Sequence, residues 1–450
     1  PILTWQAGEK IEPEFETVST AQALKDMAHI VNDMGETFDG KTVTQQNDID
    51  LSTVCSATLG NWTPIGLINR PFAGIFNGNN YKVSNLYIND TETIWARGLF
   101  AACKGEILNL GVENINIAST NTQFVGGISG LMSENGKIEK CYSTGNISGN
   151  ISYAGGISGG NYGATFSYTI NECYSGVNIK SQSRTGGIVG DNNTGGTISN
   201  CYNFGEVESS DYVGGIAGIN EGNIINCYNV ANIIATSSRV GGITGALFGK
   251  VENSYNIGKV GGDVIYKGAI VGAGASNGLG LDGVKNCYYL IGTSAQPSQG
   301  STDIIGQAEA KYSVYMKSSD FVNVLNAGDN NWKLVEGKNN NFPVLSWEEG
   351  TATERESYAE YSNLDSTGYD VYCYIGGGAK TKVEFPTWTE LNGQDDLKWY
   401  TAENLGNGIY HYRIKKSEHN NESGTYYTHV WYTNPDGSKA FAGGVGCQVP

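Results

Sequence analysis

A five-residue pattern, Gly-Gly-Ile-x-Gly, recurs through the middle of the chain and constrains its folding more than any other feature. It begins at Gly126, Gly155, Gly186, Gly214 and Gly241, so the steps are 29, 31, 28 and 27 residues. A second pattern, in which Tyr follows Cys or once Ser, runs in phase with the first: Cys141-Tyr142, Cys173-Tyr174, Cys201-Tyr202, Cys227-Tyr228, Ser254-Tyr255 and Cys287-Tyr288. Two interleaved motifs with one period indicate a repeat architecture with one structural unit per repeat.

The residues between the motifs indicate strands rather than helices. They are short β-branched pieces separated by Gly and Asn, and the period is too short for a propeller blade. A right-handed parallel β-helix fits, with coils of about three short strands stacked about 4.8 Å apart. Ile198 and Cys201 are three residues apart, so a straight strand cannot turn both inward. We therefore expect a corner at Asn200, because Asn tolerates the left-handed backbone conformation.

The repeated cysteines are expected to form a buried column of free thiols. In-register side chains run parallel, which keeps their Cβ atoms farther apart than a disulfide prefers, and Ser254 in one position interrupts any pairing scheme. The sequence has neither a C-x-x-C pair nor clustered His, so we expect no metal site and no cofactor. Cys373 and Cys447 lie outside the column and are a possible disulfide.

The chain changes character toward both ends. Ser19-Thr20-Ala21-Gln22 is typical of a helix start and Gly35 of a helix stop, which predicts a short capping helix. Near the C-terminus, Val371, Cys373 and Ile375 alternate with polar or aromatic residues, as in half-buried antiparallel strands. We predict an all-β chain with short capping helices: an N-terminal cap at 1–36, a parallel β-helix (solenoid) at 37–300, its C-terminal cap at 301–349, a linker at 350–368 and a small antiparallel β-sandwich at 369–450.

The distribution of charge disfavours several classes of partner. The chain has 45 Asp+Glu against 28 Lys+Arg, for a net charge of −17. Residues 101–300, with 13 acids and 10 bases, contribute only −3 of this. No segment is a basic patch, so we expect no binding to nucleic acid. No apolar run approaches the roughly 20 residues of a membrane span, so we also expect no membrane insertion.

The acidic residues do not form a recognisable catalytic constellation. A β-helix enzyme acting on polysaccharides needs two or three carboxylates close together on neighbouring coils. Glu206, Glu208 and Asp211 are the tightest group in the repeats, and we expect them to be a solvated face. We therefore expect no catalytic residues. Three histidines lack metal-ligand spacing and are expected to make structural hydrogen bonds: His411, His419 and His429.

The aromatic residues allow two interpretations. Rings stacked from coil to coil would stabilise the solenoid, whereas rings facing solvent would form a strip of about 24 Å on which sugars could stack. The candidate ligand-binding residues of the repeats are Tyr142, Tyr174, Tyr202, Tyr228, Tyr255 and Tyr288. Four residues offer the same choice in the sandwich, where at least two are expected to pack in the core: Trp388, Trp399, Tyr400 and Trp431.

The repeats resemble the GLUG-motif repeats. The resemblance rests on residues 61–66, 72–77, 98–100 and 200–207, and it covers about residues 20–347. It implies a secreted or surface-anchored bacterial protein, such as an adhesin or the non-catalytic part of an IgA-cleaving metallopeptidase. The repeats here read Gly-Gly-Ile rather than Gly-Leu-Phe, and the His-Glu-x-x-His of such a peptidase is absent from the sequence.

The C-terminal region resembles the GBS Bsp-like repeat. The resemblance rests on residues 383–388, 392–400, 417–420 and 424–430, and it covers residues 369 to about 445. It implies a module that accompanies cell-wall hydrolases and surface proteins of Gram-positive bacteria, where it is presumed to bind wall or glycan.

The sequence therefore favours a non-catalytic, adhesin-like protein that is secreted or held at the bacterial cell surface. We expect a monomer whose partner is a glycan or another component of the host or cell-wall surface. The alternatives are a β-helix polysaccharide lyase or hydrolase, and the accessory region of a larger cell-wall hydrolase or peptidase.

Overall fold

A computed structural model describes residues 16–161, 167–274, 281–294, 296–298 and 301–450. Within them the chain divides into two compact units. The first runs up to Lys285 and includes Thr293–Ala308, and the second combines Asn286–Gly292 with Glu309–Pro450.

The first unit is a parallel β-solenoid of about nine turns. Among the described residues, sheet 1 has ten strands: Thr17–Val18, Thr42–Gln45, Ile75–Asn77, Glu106–Leu108, Lys137–Glu139, Tyr168–Asn171, Gly196–Ser199, Asn223–Ile225, Lys250–Glu252 and Val284–Lys285. Sheet 2 carries the repeated tyrosines. Its strands in the first unit are Ile49–Asp50, Lys82–Ser84, Tyr87–Asp90, Ile94–Arg97, Gly111–Gly126, Tyr142–Gly155, Tyr174–Lys180, Ser183–Gly186, Tyr202–Asn203, Val207–Ser209, Asp211–Gly214, Tyr228–Asn229, Ile233–Ala235, Arg239–Gly241, Tyr255–Asn256, Val260–Gly261 and Tyr266–Gly268. Sheet 3 has seven strands in the part of the chain that the structure describes: Phe100–Cys103, Ser129–Met132, Ser158–Asn161, Val189–Asn192, Ala217–Asn220, Thr244–Leu247 and Val271–Gly274.

A helix precedes the coils, as the sequence predicts. It spans Ala21–His29, continues as a π-helical turn over Ile30–Met34 and ends at Gly35, whose φ is 82°. The Thr20 hydroxyl accepts a hydrogen bond from the backbone N–H of Ala23, which satisfies one free donor of the first turn. A short 3₁₀ helix follows at Leu51–Thr53.

The corner expected at Asn200 is present and recurs. The φ angles of Asn200, Asn226 and Asn253 are 53°, 53° and 49°, in the left-handed region. Because this residue reverses the inward and outward alternation, Ile198 and Cys201 on either side of it are both fully buried. The position thus acts as one column of corners along the solenoid.

The cysteines form the predicted buried column of free thiols. All nine cysteines of the chain are free and buried. The Sγ atoms of Cys141, Cys173, Cys201 and Cys227 each donate to the carbonyl two residues earlier, for example from Cys201 to Ser199 at 3.0 Å. Ser254 takes the same position and donates to the carbonyl of Glu252 at 2.8 Å. The hydroxyl reproduces the thiol's hydrogen bond, which explains why Ser fits this column.

A ladder of buried amides lies beside the cysteines. Nδ2 of Asn203 donates to Oδ1 of Asn229 at 2.9 Å, and Nδ2 of Asn229 donates to Oδ1 of Asn256 at 2.8 Å. Each amide also bonds the backbone two residues further on, for example from Asn203 to the carbonyl of Gly205 at 2.9 Å. The ladder therefore satisfies polar groups that would otherwise be costly in the interior.

The second unit contains a pair of antiparallel sheets. It begins with the strand Cys287–Leu290, and the chain returns to it within the strand Ala308–Lys311, whose first residue belongs to the first unit. Two helices follow, at Ser313–Met316 and Ser319–Asn326. The strands Trp332–Lys333 and Val344–Leu345 then pair as a hairpin, with a 3₁₀ helix at Lys338–Asn341 between them. One sheet contains, in spatial order, Ser357–Asp365, Gly368–Ile375, Ile409–Lys415 and Glu403–Gly406. The other, here the C-terminal sheet, contains Lys398–Thr401, Lys382–Thr389, Gly424–Thr433 and Lys439–Val449, and a 3₁₀ helix lies at Lys416–Glu418. A shared core joins the two sheets and includes Tyr369, Val371, Phe385, Tyr426 and Val430. This arrangement confirms the antiparallel sheets predicted for the C-terminal region, but the strand Ser357–Asp365 lies within the segment predicted as a linker, 350–368, because it pairs with Gly368–Ile375.

A candidate ligand-binding face on the C-terminal sheet

Five repeated tyrosines stack on one another along sheet 2. Ring centroids are 4.8 Å apart between Tyr142 and Tyr174, 5.0 Å between Tyr174 and Tyr202, and 4.8 Å between Tyr202 and Tyr228, with ring planes within 9° of parallel. Tyr255 continues the stack at 5.2 Å. The two faces of each inner ring are therefore covered by other rings.

Because the rings stack, each tyrosine ring in the column is at most partly exposed to solvent. The rings of Tyr142, Tyr174 and Tyr202 are half-buried, and Tyr228 and Tyr255 are buried. The first ring lies over Gly111, where an added Cβ would come within 2.4 Å of Tyr142. A sugar stacks on a ring face, and the inner rings present only edges and hydroxyls. Tyr288 lies in the second unit, where it is buried with its ring edge-to-face against Phe321.

A second outward column, which the sequence analysis missed, alternates arginine with aromatic rings. The guanidinium of Arg239 lies 4.6 Å from the ring centroid of Tyr212 and 4.9 Å from that of Tyr266. Arg184 lies 4.7 Å from the ring centroid of Tyr153. Such cation–π contacts join coils that are far apart in sequence. The sequence signal for this column is its position, because each of these residues lies two residues before the first Gly of a Gly-Gly-Ile motif or its equivalent.

The acidic group singled out in the repeats is paired with other side chains. Glu208 lies 2.8 Å from Nζ of Lys180, and Asp211 lies 3.5 Å from Arg239. Glu206 accepts a hydrogen bond from the amide of Asn232 at 3.3 Å. These contacts are those of a solvated, charge-paired surface, as expected from the sequence.

The C-terminal sheet turns a row of aromatic side chains outward. Along Lys382–Thr389, Val383, Phe385, Thr387 and Thr389 are buried, which follows from the alternation of a strand with one face on the core. Trp388 therefore lies on the opposite, outer face. The same alternation places five further rings on that face, and Trp399 at 53% exposure and Phe441 at 51% are the most accessible. The aromatic face is defined here as Trp388, Trp399, Tyr427, His429, Trp431 and Phe441.

Neighbouring rings of the aromatic face touch across three strands. Trp388 contacts Tyr427 at 5.8 Å and His429 at 4.7 Å between ring centroids. Phe441 contacts His429 at 5.1 Å and Trp431 at 5.4 Å. Most pairs are tilted or edge-to-face, so the rings are not stacked on one another as in the tyrosine column. Ring faces are therefore available on this sheet.

Two glycines keep part of the aromatic face uncovered. Gly446 pairs with Tyr427, and Gly444 pairs with His429. A Cβ at Gly446 would lie 3.4 Å from Cε1 of Tyr427, and one at Gly444 would lie 3.0 Å from Cδ2 of His429. A side chain at either position would extend over the neighbouring ring, so glycine leaves a trough along Lys439–Val449.

The four candidate residues that the sequence analysis named in this region do not all lie on the same side of the sheet. Trp388, Trp399 and Trp431 lie on the outer face, whereas Tyr400 is buried and points inward. The Tyr400 hydroxyl lies 2.9 Å from Nε2 of His419, and burial raises the pKa of Tyr400. The expectation that at least two of the four pack in the core is wrong, because Trp388 and Trp431 are only half-buried from the outer side.

Other sequence-based predictions for this region concern cysteines and metals. Cys373 and Cys447 are both free thiols in the structure, which thus lacks the disulfide that the sequence allows. Among the described residues, no group of three or more His, Cys, Asp or Glu side chains is placed to hold a metal ion. No described helix is long and apolar enough to cross a membrane.

The comparison with protein families bears directly on this sheet. Residues 375–446 match the GBS Bsp-like repeat. This repeat is a bacterial surface-associated domain, and the match contains every residue of the aromatic face. We call residues 375–446 the Bsp-like module. The resemblance of the solenoid to GLUG repeats remains a prediction.

A known structure resembles a larger part of the chain. It is a crystal structure described as a "putative immunoglobulin A1 protease from Bacteroides ovatus", with 22% identity and a TM-score of 0.48. The match covers 74% of this chain and 92% of that one. No curated protein matches the sequence.

Sequence reasoning found half of the aromatic face. Tyr427, His429 and Phe441 were not selected, although Tyr427, His429 and Trp431 alternate at the period of a strand. That alternation was the available signal. It could not tell the outer side from the core side without the packing of the opposite sheet.

Proposed function

We propose that this chain is a non-catalytic protein of the bacterial cell surface, or secreted from it, that binds glycans through the aromatic face of its Bsp-like module. The observation that carries the proposal is the set of six outward rings on one sheet, with two glycines where side chains would cover them. Exposed, clustered aromatic rings are uncommon on a monomer's surface and are typical of binding sites. The partner is a glycan of the host or cell wall, and the protein acts as a monomer without a cofactor.

The physical basis is the fit between pyranose rings and aromatic side chains. A sugar ring has an apolar face of C–H groups that packs on an indole or phenyl ring, while its hydroxyl groups stay in water. Indole and imidazole N–H groups at the edges can donate hydrogen bonds to those hydroxyls. In this proposal the tyrosine column and the arginine ladder stabilise the solenoid, and binding belongs to the module.

Binding of the full chain to purified peptidoglycan, mucin and soluble polysaccharides tests the proposal. Trp399→Ala and Trp431→Ala should each weaken binding by about tenfold, since a few large aromatic contacts dominate the energy of such sites. Phe204→Ala is the matched control, because Phe204 is 46% exposed but lies on the solenoid. Absence of binding to every glycan, or equal losses with Phe204→Ala, would contradict the proposal.

A further inference from the structure

The charged residues that lie on the same side of the sheet as the aromatic face have a net positive charge, whereas the chain as a whole is acidic. Residues 301–450 carry 20 acids and 12 bases, a net charge of −8. Among the outward positions of the four strands of the C-terminal sheet, Glu384 is the one carboxylate, and Lys382 and Lys439 are on the same face. This face is therefore locally positive within an acidic region.

The two lysines and the carboxylate form a small cluster beside Trp431 and Phe441. Oε1 of Glu384 lies 2.5 Å from Nζ of Lys382, and Oε2 lies 4.0 Å from Nζ of Lys439. Glu384 pairs with Trp431 across the strands, and Trp431 pairs with Phe441. The side chain of Glu384 is 13% exposed and that of Lys439 is 64% exposed. The carboxylate is thus covered, whereas the ammonium groups reach solvent.

From this arrangement we infer that the glycan bound by the aromatic face is acidic, with carboxylate groups paired with Lys382 and Lys439 while its sugar rings stack on Trp431 and Phe441. The inference rests on the proposed function and adds the chemical class of the ligand. Charge complementarity supports it, since two amines with one covered carboxylate leave one positive charge unbalanced.

The expected preference for an acidic over a neutral glycan is modest. Each pairing between solvent-exposed charges is weak and is screened by salt. Two such contacts give a preference of roughly tenfold for the acidic ligand at low ionic strength. Raising the salt concentration should remove the preference and leave the binding that comes from stacking.

The experiment compares one oligosaccharide with and without its charge. The probes are a hyaluronan oligosaccharide, in which alternate sugars carry a carboxylate, and the same oligosaccharide with its carboxylates reduced to alcohols. Titration calorimetry of the full chain should give roughly tenfold tighter binding to the native form. Lys439→Gln should bring the two affinities together, and Glu384→Gln should strengthen binding to the native form only. Lys415→Gln, an exposed lysine on the opposite sheet, is the control.

The outcomes separate this inference from the proposed function. If both probes bind with equal affinity and Trp431→Ala weakens the binding of both, the aromatic face binds glycans regardless of their charge, and the inference is overturned. If neutral glycans bind and no acidic polymer does, the inference is also overturned while the proposed function stands. If no glycan binds at all, both fail. Opposite changes for Glu384→Gln and Lys439→Gln would support the inference, because loss of folding would shift both in one direction.

Discussion

Nδ1 of His419 lies 2.7 Å from Oδ2 of Asp396, and both side chains are buried in the Bsp-like module. The carboxylate also accepts a hydrogen bond from the backbone N–H of Thr389 at 2.9 Å. His419 in turn contacts the Tyr400 hydroxyl. The network ties the loop after one strand of the aromatic face to the core, and so it positions Trp388 and Trp399 indirectly.

Replacing this carboxylate should destabilise the module strongly. Asp396→Ala leaves a buried imidazole and a buried N–H without their acceptor, which costs about 3 kcal/mol in the free energy of unfolding. Urea unfolding followed by tryptophan fluorescence measures it. The control is Asp395→Ala, an exposed neighbour that should change stability by less than about 0.5 kcal/mol. Equal stability of the two variants would show that the network contributes nothing.

A buried carboxylate in the solenoid should make stability depend on pH. Asp191 is 9% exposed, its Oδ1 accepts no hydrogen bond from the described residues, and burial raises its pKa from 3.8 to about 7. Arg184 opposes this rise, and Glu221 adds to it. Because the folded state holds the proton more tightly, stability falls as pH rises from about 4 to about 7. Over that range the loss is about 4 kcal/mol.

The matching variant is Asp191→Asn, which cannot ionise. It should be more stable than the parent chain at pH 8, and the difference should close as the pH falls toward 4. Thermal unfolding at a series of pH values measures this, with the exposed Asp282→Asn as the control. A constant difference between parent and Asp191→Asn across the range would refute the assignment.

The thiols give a prediction that a single reagent can check. Burial raises the pKa of Cys103 to about 12 and that of Cys447 to about 11, which suppresses the reactive thiolate. Because all nine thiols are buried, the folded chain should react very slowly with a thiol reagent at pH 8, and nine thiols should react after unfolding without reductant. A count of seven would instead indicate a bridge between Cys373 and Cys447.

The trough on the aromatic face can be filled without breaking the strand. Gly446 lies outside the left-handed region, so Gly446→Val introduces no backbone strain, and a β-branched residue suits a strand. The new side chain would cover Tyr427, and glycan affinity should fall by about tenfold. Gln448→Val changes the next outward position and serves as the control. Unchanged binding by Gly446→Val would show that the ring of Tyr427 is not used.

The sequence by itself determined the solenoid and much of its interior. Ile198 and Cys201 are three residues apart and both point inward, which a straight strand does not allow, so a corner at Asn200 was required. The constant spacing of the motifs placed the cysteines in one column. Such features follow from backbone geometry and from a fixed repeat, so they can be derived locally. Tertiary structure decided which ring faces are free. The stacked tyrosines cover each other because in-register coils bring identical residues together at the strand spacing. Tyr400 and Trp399 are adjacent in sequence and lie on opposite sides of their strand, and only the packing of the second sheet decides which side is the core.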